Sequence, residues 1–434
     1  MTTAVHPGLA PSRETLSNGA VVLAKETHAT PAVTISATFR AGSLYDPPSR
    51  VGLAHFLSRV VDRGTESRSA DEIAEALDGR GVSLMVVETR HHLALSCTCL
   101  SEDFEPMLEL VGDICMRPAF PGHEVDTRRG EIVTSIRQDE DNPAVMAVEG
   151  LMGLLYPDGH AYGRRTKGTI DTVEAITRAD LQAFHRDTFT PSSLSLVVVG
   201  DVPAPRVTTQ AARVFCDWPG RAVPDPAVPT RPVAGARRRL VVPMMNKAQA
   251  DIAYGFVSIR RTDPAYYALL VMNNVLGQYA LGGRLGDSIR ERQGMAYYVF
   301  SGFEANVGEG PFLIRAGVEA GNVDRAVASI DEELRRMATD GVTPRELAES
   351  KQYLVGSMPR TLETNAGIAA FLQSVEFFGL GLDHDLRLPR LINDVTLEQV
   401  NAEARRFLVP ERAALAIAGP YEDGESAAHA TADR

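Results

Sequence analysis

Two blocks of the chain share one order of polar and apolar positions. Residues 176 to 201 read ITRADLQAFHRDTFTPSSLSLVVVGD, and residues 395 to 420 read VTLEQVNAEARRFLVPERAALAIAGP. In each, a threonine (Thr177, Thr396) precedes a stretch of helical period, a proline (Pro191, Pro410) breaks it, and an apolar run ends at glycine (Gly200, Gly419). The pattern predicts an N-capped helix, a turn and a buried strand, used twice. A shared ending without a gap implies two duplicated domains of about two hundred residues each.

Other segments fill in the same alternation. VVLAKE and AVTISATFRAG, within residues 21 to 42, are strand-like, as are VSLMVVET and HLALSCTCL further on. SADEIAEALDGRG (69 to 81) predicts a helix with a serine N-cap and a glycine stop, and EDFEPMLELVGDICM (102 to 116) a second helix. In the later half FLIRAGV predicts a strand and VDRAVASIDEELRRMATDG an amphipathic capped helix. Runs of strands punctuated by helices indicate an α+β fold, each domain an antiparallel-rich sheet with helices packed on one face. Residues 218 to 236 hold five prolines and predict an extended, semi-rigid linker. The expected organisation is a domain over 12–217, the linker 218–236, a second domain over 237–421 and a tail over 422–434.

Composition narrows the function. The 434 residues carry a formal net charge of -12, which argues against a nucleic-acid-binding surface. Four cysteines (Cys97, Cys99, Cys115, Cys216) are too few for a disulfide framework, and the two-residue spacing of Cys97 and Cys99 predicts two thiols on one strand face, packed as small hydrophobes. The first eleven residues lack the pattern of a secretory signal, and no apolar run reaches eighteen residues, so cytoplasmic residence is the default and no membrane span is expected.

Residues 37 to 65, ATFRAGSLYDPPSRVGLAHFLSRVVDRGT, resemble the pitrilysin/insulinase metallopeptidase family. The corresponding family helix reads GLAHFLEHM and contains the inverted zinc motif H-x-x-E-H, two imidazoles on one helical face with a glutamate base between them. Here the motif positions hold His55, Phe56, Leu57, Ser58 and Arg59. A serine is no carboxylate base, and a guanidinium has no lone pair to give a metal. The family's third ligand is a glutamate on a helix similar to RRGEIVTSIRQDEDNP, residues 128 to 143, where Ser135 stands at the ligand position and Glu131 one turn away. The resemblance implies a retained scaffold with a degenerate zinc site at His55, Ser58, Arg59 and Ser135, and no metal or other cofactor bound by this chain. The family's substrate-pairing edge strand resembles RGVSLMVVETRHH, with Met85 and Val86 in place of polar residues.

The second half resembles the family differently. RLGDSIRERQGMAYYVFSGF, residues 284 to 303, is similar to a segment whose arginine and tyrosine, seven apart, reach the substrate and the developing oxyanion in active relatives. Those positions are Arg290 and Tyr297 here, the first near the end of a helix and the second opening a strand. Residues 346 to 383 resemble later family helices, so the likeness spans residues 12 to 421. It implies a clamshell closing on a zinc-bearing homologous partner in a heterodimer or heterotetramer, with zinc in the partner, a peptide as substrate, and Arg290 and Tyr297 supplied in trans. Two other readings predict different behaviour: a structural scaffold subunit with no turnover, and a peptide-binding module that holds peptides without cleaving them.

Overall fold

In the computed structural model, which describes residues 8–224, 226, 228–230, 235–279 and 282–422, the duplicated apolar runs become central strands of two sheets. The first sheet contains β1 (Ser12–Thr15), β2 (Val21–Glu26), β3 (Ala32–Phe39), β4 (Leu84–Glu88), β5 (Leu93–Leu100) and β6 (Leu194–Gly200), in the order β1-β2-β6-β3-β5-β4. The second contains β7 (Arg238–Pro243), β8 (Ala250–Val257), β9 (Ala296–Phe303), β10 (Pro311–Val318) and β11 (Ala414–Gly419), in the order β7-β11-β8-β10-β9. The duplication is visible strand by strand: β2 runs parallel to β6 and β7 parallel to β11, and the remaining core pairs are antiparallel. β4 and β9 are therefore counterparts, each the free edge of its sheet.

The predicted caps form. Ser69, Thr177 and Thr396 each close a capping box, with Glu72, Asp180 and Gln399 returning the bond. The two terminal glycines have φ of +146° (Gly200) and +139° (Gly419), and a Cβ at Gly200 would sit 2.1 Å from the carbonyl oxygen of Ala32. Only glycine fits that strand end. The helix at Val323–Asp340 ends at Gly341, whose φ is +78° and whose backbone N–H bonds to the Met337 carbonyl, while Asn322 at its start makes no side-chain capping bond.

Each sheet buries most of its helices on one face, in a core that includes Ile35, Leu95 and Leu196 in the first and Ile252, Ile314 and Leu415 in the second. The expectation of helices on one face alone is incomplete, because a further helix lies on each opposite face. β6 and β11 are apolar at both parities and buried along nearly their whole length, so a bare second face would leave apolar surface in water. Over β6 and β3 the cover is the helix Asn365–Phe377, whose Ile368, Ala369 and Leu372 pack on Leu23, Val197 and Val199. Gln373 of that helix donates to the backbone oxygens of Ser36 and Ser195 at 3.0 and 2.9 Å, joining two strands. Over β8 and β11 the cover is Pro143–Leu155, opened by the Asn142 cap and a proline in its first turn.

These two helices make the compact units discontinuous in sequence. One unit's described residues fall within Met1–Ile136, Arg165–Ala227 and Met358–Arg387; the other's fall within Arg137–Arg164, Val228–Ser357 and Leu388–Arg434. The anticipated boundaries at 12–217 and 237–421 thus cut across both units. Of the linker at 218–236, residues 225, 227 and 231–234 lie outside the described residues, as do Ala280, Leu281 and the tail from 423; the described linker residues form neither helix nor strand. The four thiols are free, with Cys97 and Cys99 buried on one face of β5.

Candidate functional site

The helix Leu53–Val60 carries three of the four degenerate zinc positions. Its start is fixed by Asp46, a buried carboxylate that accepts from the backbone N–H of Gly52 and of Ala54, both at 2.8 Å. Gly52 has φ +96°, and a Cβ there would lie 2.5 Å from the carbonyl oxygen of Lys167. Glycine is needed for that close approach, which brings the 167–168 loop against the helix.

The side chains are engaged in bonds unsuited to a metal. His55 Nδ1 lies 3.7 Å from Glu88 Oε2, beyond hydrogen-bond length, beside a carboxylate almost wholly buried on β4. The Ser58 hydroxyl donates to the carbonyl oxygen of His55 at 2.7 Å. Arg59 points to Glu131, 3.8 Å away, and Glu131 also accepts from Arg128 at 2.5 Å. The hydrogen bond from Arg128 holds the Glu131 carboxyl below its ordinary range, with the charges of Arg59 and Arg63 adding to it. At the third-ligand position, the Lys167 ammonium donates to the Ser135 hydroxyl at 2.8 Å. Neither Lys167 nor Glu88 is legible as a site residue in the sequence, because neither belongs to a motif and both are brought in by other elements.

Zinc does not fit this donor set. One imidazole remains as a ligand, and the two other ligand positions hold a guanidinium and a hydroxyl bound by an ammonium. Glu131, the displaced carboxylate, is bound by arginine. Among the described residues no group of three or more His, Cys, Asp or Glu side chains is placed to hold a metal ion.

On β4, Met85 and Val87 face outward, 60% and 49% exposed, while Val86 turns toward the core. The open apolar pair is thus Met85 and Val87; Val86 does not belong to it, because strand alternation puts it on the other face.

Arg290 and Tyr297 both lie at irregular points of the backbone. Arg290 is in a π-helical turn, Gly286–Arg292, where the sequence predicted an ordinary helix; Gly294 at φ +61° ends it. Such turns recur at functional sites. Its guanidinium is 43% exposed and makes a 3.4 Å ion pair only with its neighbour Glu291 among the described residues. Tyr297 is on edge strand β9 and 85% exposed, the most exposed large apolar or aromatic side chain described. The adjacent Tyr298 is half-buried, and its phenol donates to Asp251. Burial, with the Asp251 bond second, raises the Tyr298 pKa, so that hydroxyl is held as a neutral donor. Of the two tyrosines in MAYY, only Tyr297 is available to a ligand.

Residues 21–160 match the family described as Insulinase (Peptidase family M16), and residues 175–354 match Peptidase M16 inactive domain. An uncharacterized zinc protease of Streptomyces coelicolor is 28% identical over 421 residues, covering 95% of this chain and 90% of that protein. A crystal structure of a peptidase M16 inactive domain from Pseudomonas fluorescens superposes with TM-score 0.86 at 26% identity, covering 95% of this chain and 98% of that one. A protease from Helicobacter pylori shares the fold with TM-score 0.87 at 18% identity, over 94% and 99% of the two chains.

Proposed function

Since the chain belongs to the insulinase-type M16 peptidase family, we propose that it is the non-catalytic subunit of a two-chain metallopeptidase, working with a homologous partner that carries the metal. In this reading the chain forms part of the peptide-binding chamber and lends Arg290 and Tyr297 to the partner's site. A guanidinium and a phenol are both hydrogen-bond donors, suited to the substrate backbone and to the oxyanion that develops as a peptide carbonyl is attacked. Donors of this kind lower a barrier by about 3 kcal/mol each. The partner's metal supplies the activated water; this chain supplies none.

The observation that carries the reading is a contrast within one molecule. The former metal position is filled by the chain's own cations, whereas Arg290 and Tyr297 remain exposed on irregular backbone. A scaffold subunit has no need of a phenol this exposed at a strand edge. The outward Met85 and Val87 make β4 an apolar edge, suited to packing against the partner. No described helix is long and apolar enough to cross a membrane, and a cytoplasmic setting fits the reduced thiols.

Co-expression with an H-x-x-E-H homologue, followed by purification and a peptide-cleavage assay, tests the proposal. The pair should copurify and cleave peptides in a chelator-sensitive way, with no cleavage by this chain alone. Copurification without cleavage under any pairing would instead support a scaffold, and peptide binding by the isolated chain without cleavage a binding module.

A further inference from the structure

The exposure of Tyr297 is unexpected from strand alternation. Along β9, Ser301 and Val299 are buried toward the helices, and a regular strand would next bury Tyr297. The buried position is Ala296 instead. The register explains this: Gly317 of β10 pairs with Tyr298, but Val318 pairs with Ala296, so Tyr297 is the extra residue of a β-bulge. A bulge re-aims a side chain and is common beside functional sites.

The bulge has a visible anchor. Asp251 of β8, Gly317 of β10 and Tyr298 of β9 stand in one row across the sheet. The Tyr298 side chain crosses the glycine and its hydroxyl reaches Asp251, a residue 6% exposed on β8. Any side chain at Gly317 would obstruct this crossing, since a Cβ there would lie 2.6 Å from Tyr298 Cε1 and 2.1 Å from Gln249 Nε2. Arg315, on the same face, lies over the Phe300 ring at 5.7 Å, and Phe300 packs on Tyr298 with ring centroids 5.8 Å apart. The row thus holds Tyr298 from below, from the far strand and from its own strand.

We infer that Tyr298 is a positioning residue, and that its crossing of Gly317 to Asp251 pins the bulge that turns Tyr297 out of the sheet. The inference rests on the proposed role of Tyr297 as a substrate-facing donor, but the geometry can be tested separately. Without the anchor, β9 can recover regular alternation and draw Tyr297 toward the helix-covered face. The chain would keep every residue of the proposed site and lose the placement of one.

Nitration by tetranitromethane, mapped by mass spectrometry on the isolated full chain, reads that placement directly. Wild type should be nitrated at Tyr297 in preference to Tyr298. Tyr298→Phe, which removes a single oxygen, and Asp251→Ala should slow Tyr297 nitration by about fivefold or more, the bias a hydrogen bond to a charged group supplies. Asp251→Asn keeps an acceptor and should restore the wild-type rate; Gly317→Ala should behave like Asp251→Ala. An unchanged or faster rate at Tyr297 in Tyr298→Phe and Asp251→Ala overturns the inference. With the metal-bearing partner added, the slowed variants should lose kcat with little change in KM, and Asp251→Asn should recover it. If Tyr297→Phe leaves that turnover untouched while the nitration pattern holds, the anchor stands and the catalytic reading of Tyr297 fails.

Discussion

The Lys167 ammonium donates to the Ser135 hydroxyl at 2.8 Å, so the place where a third metal ligand would stand is already held by a positive charge. Beyond the changed side chains at the ligand positions, a metal ion here would also meet that charge. A unit charge about 4 Å from another interacts by about 4 kcal/mol at the effective dielectric of a protein surface, and a dication feels twice that.

Restoring the three family side chains should therefore fail to restore the metal. The variant Ser58→Glu, Arg59→His, Ser135→Glu should purify with well under one zinc per chain, because Lys167 would pair with the new carboxylate at position 135. Adding Lys167→Ala should raise zinc toward one per chain and tighten binding about tenfold or more. Metal analysis by inductively coupled plasma mass spectrometry decides; stoichiometric zinc in the triple variant would show that Lys167 is no obstacle.

The helix Asn365–Phe377 should matter to the first sheet as much as that sheet's own helices. Leu372 is 1% exposed against Leu23, Val197 and Val199. Leu372→Ala should cost about 2 to 5 kcal/mol, the range for emptying a buried leucine site. Hydrogen exchange should show the loss in β2, β3 and β6; an effect confined to residues 365–377 would mean that the helix is a dispensable cover.

Acid should destabilise the chain earlier than carboxylates alone would bring about. Burial lowers His91 to about 4 and His185 to about 4, the latter with its Nε2–H donating to the Cys115 carbonyl at 2.8 Å. In the unfolded chain both titrate near 6.5, the ordinary value for histidine. Between those values the unfolded state binds more protons, so stability is full above about pH 7 and falls as pH drops from 6.5 toward 4. By pH 4 each histidine accounts for a loss on the order of 3 kcal/mol. Glu346 acts in a lower window: burial opposes its ionisation, but bonds from Arg284 and Thr343 bring its pKa to about 2, so its contribution is lost only as pH falls below about 4.5. Melting temperature should decline between pH 6.5 and 4.5, and His185→Gln should flatten about half of that decline. A flat profile down to pH 4.5 would contradict the assignment.

Much of the fold was legible because it is written in local chemistry. Thr177 and Thr396 announce capped helices, and Gly200 and Gly419 mark strand ends that only glycine can make. The two-sided burial of β6 and β11 was present in LSLVVVG and ALAIAG as runs apolar at both parities, but which helix would cover them was not, since Leu372 and Leu23 are brought together only by the folded chain. The site divides in the same way. Arg59 and Ser135 are readable as chemistry that cannot ligate zinc, whereas Lys167 owes its place to a close backbone approach at Gly52. Tyr297 was identifiable through the resemblance of residues 284–303 to a family segment, but the bulge that exposes it depends on Gly317 and Asp251, residues of two other strands.

The most direct measurement is peptide turnover by this chain paired with the proposed metal-bearing homologue, with Arg290→Ala and Tyr297→Phe introduced here alone. The account predicts that each lowers kcat about 10²- to 10³-fold while the pair still assembles and the partner retains its metal. Unchanged kcat in both variants would contradict it.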